Sequence, residues 1–298
     1  MEKWINQIIC GDVLEILKQM PDNFVDCIIT SPPYWGLRDY GANGQIGLEK
    51  TLEEYLSRLL KITNELKRVL KPSGVMFWNH GDCYNGKCLA LQNFRLIIRM
   101  IDEQGWILRN IIIWYKPNHM PEPVKDRFTR SYEPVFMLVK SQKYWFDLDS
   151  VRIPYKMSSI ERLFRNNSQE NIRDNYAGYT KENFQKLQEK IKTMVFKENI
   201  IPMKNPEDFW VIPAASAEKL AREEREGHFA IFPERLVEPM IRCGCPKDGI
   251  VLDPFCGTGT TCVVAKKLGR NFIGIELNPA FVEVARKRVR KIIQAEIF

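Results

Sequence analysis

Along the first third of the chain the apolar positions alternate between two spacings. Ile5 to Cys10 and Val25 to Thr30 are short, nearly continuous apolar runs bounded by polar turn residues, the pattern of buried strands. Val13 to Met20, between them, keeps helical spacing. Leu52, Leu56, Leu59, Leu60, Leu66 and Leu70 recur at helical intervals behind a Thr51/Glu54 capping box. Lys71-Pro72-Ser73-Gly74 predicts the end of that helix, and Val75 to Trp78 a strand running out at Asn79-His80-Gly81-Asp82. A helix over Leu89 to Glu103 stops at Gly105, and two apolar runs follow, Trp106 to Tyr115 and Pro134 to Val139. The same alternation returns near the C-terminus. Pro233 opens a helix that ends near Gly244, Ile250 to Leu252 is a strand, and a glycine turn opens a further helix. Phe272 to Glu276 is a strand, and Asn278-Pro279 starts the last helix. Strands and helices in alternation predict an α/β fold, a doubly wound and mostly parallel sheet with helices on both faces. Residues 156–205 break the pattern: they are polar, rich in Asn, Gln and Lys, with weak helical spacing at Phe184, Leu187, Ile191 and Met194. The expected organisation is one domain built from residues 1–155 and 206–298, with 156–205 as an insert.

Composition narrows the class. Over 298 residues, 45% are apolar and 27% charged, the proportions of a soluble globular protein with a sizeable core. No apolar run approaches a bilayer span, and Met1-Glu2-Lys3-Trp4 opens no signal-peptide core, so the expectation is a cytoplasmic protein. The cysteines at 10, 27, 83, 88, 243, 245, 256 and 262 include no CxxC pair and have no His cluster beside them, so no metal site is expected. The net charge of +7 permits a nucleic-acid partner without requiring one. It is unevenly spread: residues 85–145 hold ten Lys or Arg against five acids.

Two constellations carry chemistry. Ser31-Pro32-Pro33-Tyr34 follows the strand at Val25 to Thr30. Two prolines cannot continue a ladder, since they lack N–H donors and have fixed φ. A hydroxyl, backbone carbonyls and an aromatic face are therefore held stiffly at the carboxyl end of a strand, where open α/β sheets bind ligands. Such groups suit a flat base and its amine; a proline turn beside a buried tyrosine has the same residues. The second constellation is Asp253-Pro254-Phe255-Cys256-Gly257-Thr258-Gly259-Thr260-Thr261, a glycine turn opening a helix. Its glycines allow close backbone approach, and a helix N-terminus favours an anion. Glu276 lies nineteen residues beyond Gly257 at the next strand end, where an acid can take ribose hydroxyls. The full GxGxxG and the GK[ST] of a phosphate loop are both absent, which favours an adenosine ligand with a small carboxylate over a pyrophosphate.

Taken together these motifs resemble the beta group of S-adenosylmethionine-dependent DNA amino-methyltransferases. That group carries (S/D)PPY first, then a target-recognition insert, then DPFxGxGTT. Cys10-Gly11-Asp12, Trp114-Tyr115-Lys116-Pro117-Asn118, Arg127 with Glu133, and His228 to Pro233 are further matching pieces, and the likeness spans the chain apart from the insert. It implies a seven-stranded Rossmann-like sheet in permuted order, S-adenosyl-L-methionine as cofactor, and methyl transfer to an exocyclic amine of a base flipped out of double-stranded DNA. It further implies that Ser31, Pro32, Pro33 and Tyr34 are catalytic. The same likeness makes Asp253, Phe255, Cys256, Gly257, Thr258, Gly259 and Thr260 the cofactor loop. Glu276 is then the ribose ligand, Asp12 the partner of the cofactor's adenine amine, and Phe232 a wall near its methionine part. Asn278 sits beside them as a cofactor residue or a helix cap. A first-position Ser is associated in that group with cytosine N4 and Asp with adenine N6, so cytosine N4 is the expected target and adenine N6 the alternative. Cytosine C5 chemistry needs a nucleophilic cysteine in a Pro-Cys turn, and Cys245-Pro246 is in the reverse order. The insert is the expected reader of DNA sequence. A cognate restriction endonuclease is a partner the likeness allows, and it leaves monomer and homodimer open.

Overall fold

The computed structural model describes residues 2–156, 158, 160, 181–196, 203–215 and 233–295. The chain divides into two compact units, residues 1–147 with 208–298, and residues 148–207.

The larger unit is built on an eight-stranded sheet. Its strands in chain order are β1 (Gln7–Cys10), β2 (Val25–Thr30), β3 (Leu70–Asn79), β4 (Ile107–Tyr115), β5 (Tyr132–Val139), β6 (Phe209–Val211), β7 (Ile250–Asp253) and β8 (Asn271–Glu276). They lie side by side as β1-β8-β7-β2-β3-β5-β4-β6. Every pairing is parallel except those of β5, which runs against both neighbours. The C-terminal strands β7 and β8 thus slot between the N-terminal β1 and β2. The doubly wound, mostly parallel sheet in permuted order is as expected, and it carries one strand more than seven. The extra strand is a three-residue edge. It is too short for periodicity to register, and it is held by the Trp114 indole donating to the Ile212 carbonyl (2.7 Å) and by Phe209 stacked on Tyr115 (5.9 Å).

Helices α1 (Val13–Gln19), α2 (Leu52–Val69) and α3 (Gln92–Gln104) cover one face, packing on Ile28, Met76 and Trp78. Helices α5 (Glu234–Gly244), α6 (Thr260–Lys267) and α7 (Pro279–Ala295) cover the other, where Gly244 lies against Phe77 and Cys27. The odd and even positions of β2 and β3 therefore feed opposite layers, as strand geometry requires. Six of the eight cysteines are buried free thiols. Among the described residues there is no metal-binding cluster, and no helix is long and apolar enough to cross a membrane.

Two elements depart from the sequence pattern. Helix α2 does end just before Lys71-Pro72-Ser73-Gly74, as expected, but the strand starts earlier than Val75: β3 begins at Leu70 and carries those residues as a bulge opposite Val25 to Cys27. The Lys71 ammonium reaches Asp26 (2.7 Å) and the Ser73 carbonyl accepts from Trp145 N–H (2.8 Å), which supplies partners where ladder bonds are lost. Helix α3 starts three residues later than predicted. The Asp82 carboxylate accepts from the backbone N–H groups of Leu91 (2.9 Å) and Gln92 (3.2 Å), a cap from ten residues upstream that local spacing does not reveal.

In the smaller unit, α4 (Lys181–Phe196) carries a Glu182–Lys186 pair one turn apart, and Ile153–Pro154 pairs antiparallel with Met203–Lys204. Ile191 is buried and Met194 half-buried, while the side chains of Phe184 and Leu187 lie outside the described residues.

Candidate active site

Because β5 is antiparallel, its start lies at the same sheet edge as the carboxyl ends of its parallel neighbours. Residues within β3, β4, β5, β7 and β8, and residues just past β1 and β2, therefore converge there around a cavity of about 630 Å³, a size that suits a small ligand with room for a second group. Asp12, Ser31, Pro32, Pro33, Tyr34, Asp253, Phe255, Cys256, Gly257, Thr258, Thr260, Glu276 and Asn278 all line it. The two motifs from opposite ends of the chain thus share one space. Gly259 stands off the wall. At φ +81° it turns the chain into α6, and a Cβ there would come within 2.8 Å of Ala285, so packing of α6 on α7 requires glycine. Phe232 lies outside the described residues.

The joint between the two halves is Asp253. Its carboxylate accepts from the Thr30 hydroxyl (2.7 Å), the Thr261 hydroxyl (2.6 Å) and the Phe255 N–H (3.1 Å). It ties the residue before Ser31 to the first turn of α6. Burial pushes its pKa up to about 6, against the pull of those three donors.

The proline turn is fixed from behind by a buried chain of polar groups. The Trp78 indole donates to His80 Nδ1 (3.4 Å), which leaves the imidazole proton on Nε2, facing the Tyr55 hydroxyl (2.9 Å). The Tyr55 hydroxyl in turn donates to the Pro33 carbonyl (2.8 Å). Burial lowers the His80 pKa to about 3, so the ring stays neutral and the direction of the chain is set. Holding the Pro33 carbonyl fixes the peptide plane next to Pro32.

On the cavity side, the Tyr34 hydroxyl lies 3.0 Å from a Glu133 oxygen, 3.2 Å from Asn79 Oδ1 and 3.1 Å from Ser31 Oγ. A phenol has one proton, and the carboxylate is the stronger acceptor. Burial, and then the Glu133 charge, push the Tyr34 pKa well up, so that proton stays on oxygen. The Ser31 hydroxyl then donates to Tyr34 and presents its free lone pairs to the cavity. The Tyr34 ring lies 5.2 Å from His80 and rests on Gly81, where a Cβ would approach it to 2.6 Å. Glu133 is also paired with Lys116, whose ammonium sits 4.1 Å over the Trp114 ring.

The other end of the cavity suits a nucleoside. Glu276 accepts from Gly257 N–H (2.9 Å) through one oxygen and Asn278 N–H (2.8 Å) through the other, so each oxygen keeps capacity for a hydroxyl. Burial raises its pKa. Asp12 caps α1 through Oδ1 (3.1 Å to Glu15 N) while also lining the cavity. Asn278 is both a cap, accepting from Ala280 N–H (2.9 Å), and a tie, donating to the Tyr40 carbonyl (3.2 Å). Arg288 donates to the Thr258 carbonyl (2.7 Å) and hydroxyl (3.0 Å), so the glycine turn is held from α7. The first turn of α6 presents its end to this space with no acid in it, an open place for a carboxylate.

Sequence reasoning missed Tyr55, His80, Asn79, Glu133 as the partner of Tyr34, and Arg38. Arg38 lines the cavity with Nη1 buried and without a hydrogen-bond partner among the described residues. The polar residues at the end of β3 were the available signal, since buried polar groups at a strand's carboxyl end need a reason.

Comparison with known proteins gives a consistent picture. Residues 25–287 match the model of the N6/N4 methyltransferase family, described as DNA methylase. The type II methyltransferase M.Cfr9I of Citrobacter freundii is 35% identical over 94% of this chain and 86% of its own length. Among solved structures, PvuII DNA methyltransferase (cytosine-N4-specific) superposes with a TM-score of 0.67, at 23% identity, over 96% of this chain and 89% of its own. M1.HpyAVI, solved as a complex with SAM, superposes with a TM-score of 0.56, at 22% identity, over 95% of this chain and 98% of its own.

Proposed function

This chain belongs to the N6/N4 DNA methylase family, and from that premise we propose that it moves the methyl group of S-adenosyl-L-methionine to the exocyclic N4 amine of a cytosine turned out of duplex DNA. The observation that carries the reading is Ser31. Its own proton is committed to Tyr34, and its lone pairs face the cavity that the glycine turn of Asp253 to Thr261 also lines.

S-adenosyl-L-methionine, when bound, supplies an electrophilic methyl on a sulfonium. The residues that would hold it are Glu276 at the ribose, Asp12 at the adenine amine, Phe255 and Cys256 along the wall, and Gly257, Thr258 and Thr260 at the methionine end. Phe255 is held edge-on to Trp78 (6.5 Å), which fits a wall residue.

The amine of a base is a poor nucleophile because its lone pair is delocalised into the ring. Ser31 Oγ and the Pro32 carbonyl accept its two hydrogens, which favours a pyramidal nitrogen with a localised lone pair. Tyr34 offers its ring to the extruded base. Neither oxygen is a strong base, so rate comes from orientation and fixed dipoles. The chain through Tyr55 fixes the Pro33 carbonyl, and the Asp253 to Thr30 bond sets the position of Ser31 relative to the cofactor loop.

Ser31 in the first motif position supports cytosine over adenine. The insert, residues 156–205 by its sequence, reads the DNA target, and the relatives' type II names support a partner restriction endonuclease; a DNA substrate in turn fits work in the cytoplasm. The test is substitution: Ser31→Ala and Tyr34→Ala should each abolish methyl transfer to duplex DNA while cofactor affinity, measured by calorimetry, stays within about threefold. Near-normal turnover in both would refute the assigned roles. Modification-sensitive sequencing of DNA from a host expressing the chain gives the target site.

A further inference from the structure

A base that reaches Ser31 has left the helix, and the duplex is left with a gap. Proteins that bend DNA insert apolar side chains between base steps, which unstacks them; the same device would fill the gap an extruded base leaves. The connection between β4 and β5 carries two candidates. Phe128 is 96% exposed and Met120 is 83% exposed, more than the other large hydrophobic side chains of the described residues. Single exposed apolar residues are ordinary; two in one connection, of which Met120 lines the cavity, are less so.

The connection is well fastened. Lys116 N–H donates to the Ser131 carbonyl (2.7 Å) and closes its base. Asn118 exchanges two bonds with Ala214, donating to its carbonyl (3.2 Å) and accepting from its N–H (2.8 Å). Arg127 and Arg130 converge on Glu122 and on the Tyr84 ring, at 4.2 and 5.4 Å from its centre. Arg130 also donates to the Asp82 carbonyl (2.6 Å). Phe128 is thus raised from an anchored scaffold, between two arginines. Met120, Glu122 and Arg130 line the same cavity as Ser31, so the scaffold is one wall of the site. Residues 116–131 hold four Lys or Arg against two acids, a sign that suits a polyanion.

We propose that Phe128 is the wedge that enters the DNA stack as the target base leaves it, with Met120 lining the path of that base into the cavity. This rests on the reading that the chain methylates an extruded base. The phosphate backbone meets the flanking cations, and the aromatic face replaces the stacking that the base gives up.

A wedge matters only where the base must be forced out. The test uses the full-length protein and two duplexes bearing the mapped target site, one fully paired and one with an abasic site opposite the target base. On the paired duplex, Phe128→Ala should lower the single-turnover methylation rate about tenfold or more, with cofactor affinity and melting temperature unchanged. On the abasic-partner duplex, where extrusion is cheap, the same variant should come within about threefold of wild type. Equal loss on both duplexes, or no loss on the paired one, would overturn the proposal. So would a Phe128→Ala protein that methylates normally but changes from dimer to monomer by light scattering, which would make the loop a self-association surface. Ser31→Ala should be inactive on both duplexes. If it is active, the functional reading itself has failed, independently of the wedge.

Discussion

Tyr34 has one proton and three oxygens within reach, those of Glu133, Asn79 and Ser31, and the choice among them decides what Ser31 can do. With the proton on the Glu133 side (3.0 Å), Ser31 becomes a donor to Tyr34 and an acceptor toward the cavity. The same logic runs behind the turn, where neutral His80 orients Tyr55 and Tyr55 holds the Pro33 carbonyl. Tyr55 and His80 are both fully buried, and each polar atom in that chain has its partner. Removing one hydroxyl there is a small, local change. Tyr55→Phe should lower kcat about fivefold, the worth of roughly 1 kcal/mol of positioning, with KM for the cofactor unmoved. Steady-state kinetics check this, and an unchanged kcat would remove Tyr55 from the account. Tyr55 could not be singled out from sequence: it sits within a helical leucine pattern where an aromatic reads as core, and core is what its ring is. Its hydroxyl acquires a purpose only through Pro33, 22 residues away in a different element.

Elements were legible where local chemistry dictates them. The Thr51/Glu54 capping box is present with both of its bonds at 3.2 Å, and the strand runs at Val25, Ile250 and Phe272 all fall within sheet strands. Where the outcome depends on a remote partner, the pattern was silent. The bulge in β3 depends on Asp26, the start of α3 on Asp82, and the edge strand β6 on a tryptophan in β4. Asp253 is the clearest case, since its motif suggests a ligand and its bonds make it the joint of β2, β7 and α6. That role has a pH signature. Its pKa is raised from the ordinary 3.8 to about 6 by burial, so folding disfavours its charge. The resulting penalty is absent below about pH 4 and complete above about pH 6, where it costs about 3 kcal/mol. Asp253→Asn carries no such charge. Its stability relative to wild type should therefore improve by that order between pH 4 and pH 7, measured by denaturant unfolding of both proteins. A gap that stays constant would show that the carboxyl is not held under that penalty.

At the scale of the molecule, the N-terminal motif and the C-terminal motif are separated by more than 200 residues and meet because β7 lies directly beside β2. Their order in the chain, with the proline tetrapeptide first, was legible from the two motifs alone. Their contact was not, because no local pattern states which strands will be neighbours. The net charge of +7 and the basic excess over residues 85–145 gain a place as well, since part of it lines the cavity through Lys116 and Arg130, with Arg127 beside them sharing Glu122 with Arg130. The claim on which everything else depends is the identity of the methylated atom. The direct measurement is to incubate the purified protein with unmodified duplex DNA and S-adenosyl-L-methionine carrying an isotope-labelled methyl group, digest the DNA to nucleosides and identify the labelled product by mass spectrometry. The account predicts label in N4-methyldeoxycytidine. Label in N6-methyldeoxyadenosine would contradict the assignment of Ser31 to cytosine, and an absence of labelled nucleoside on DNA that carries the target would contradict the reaction.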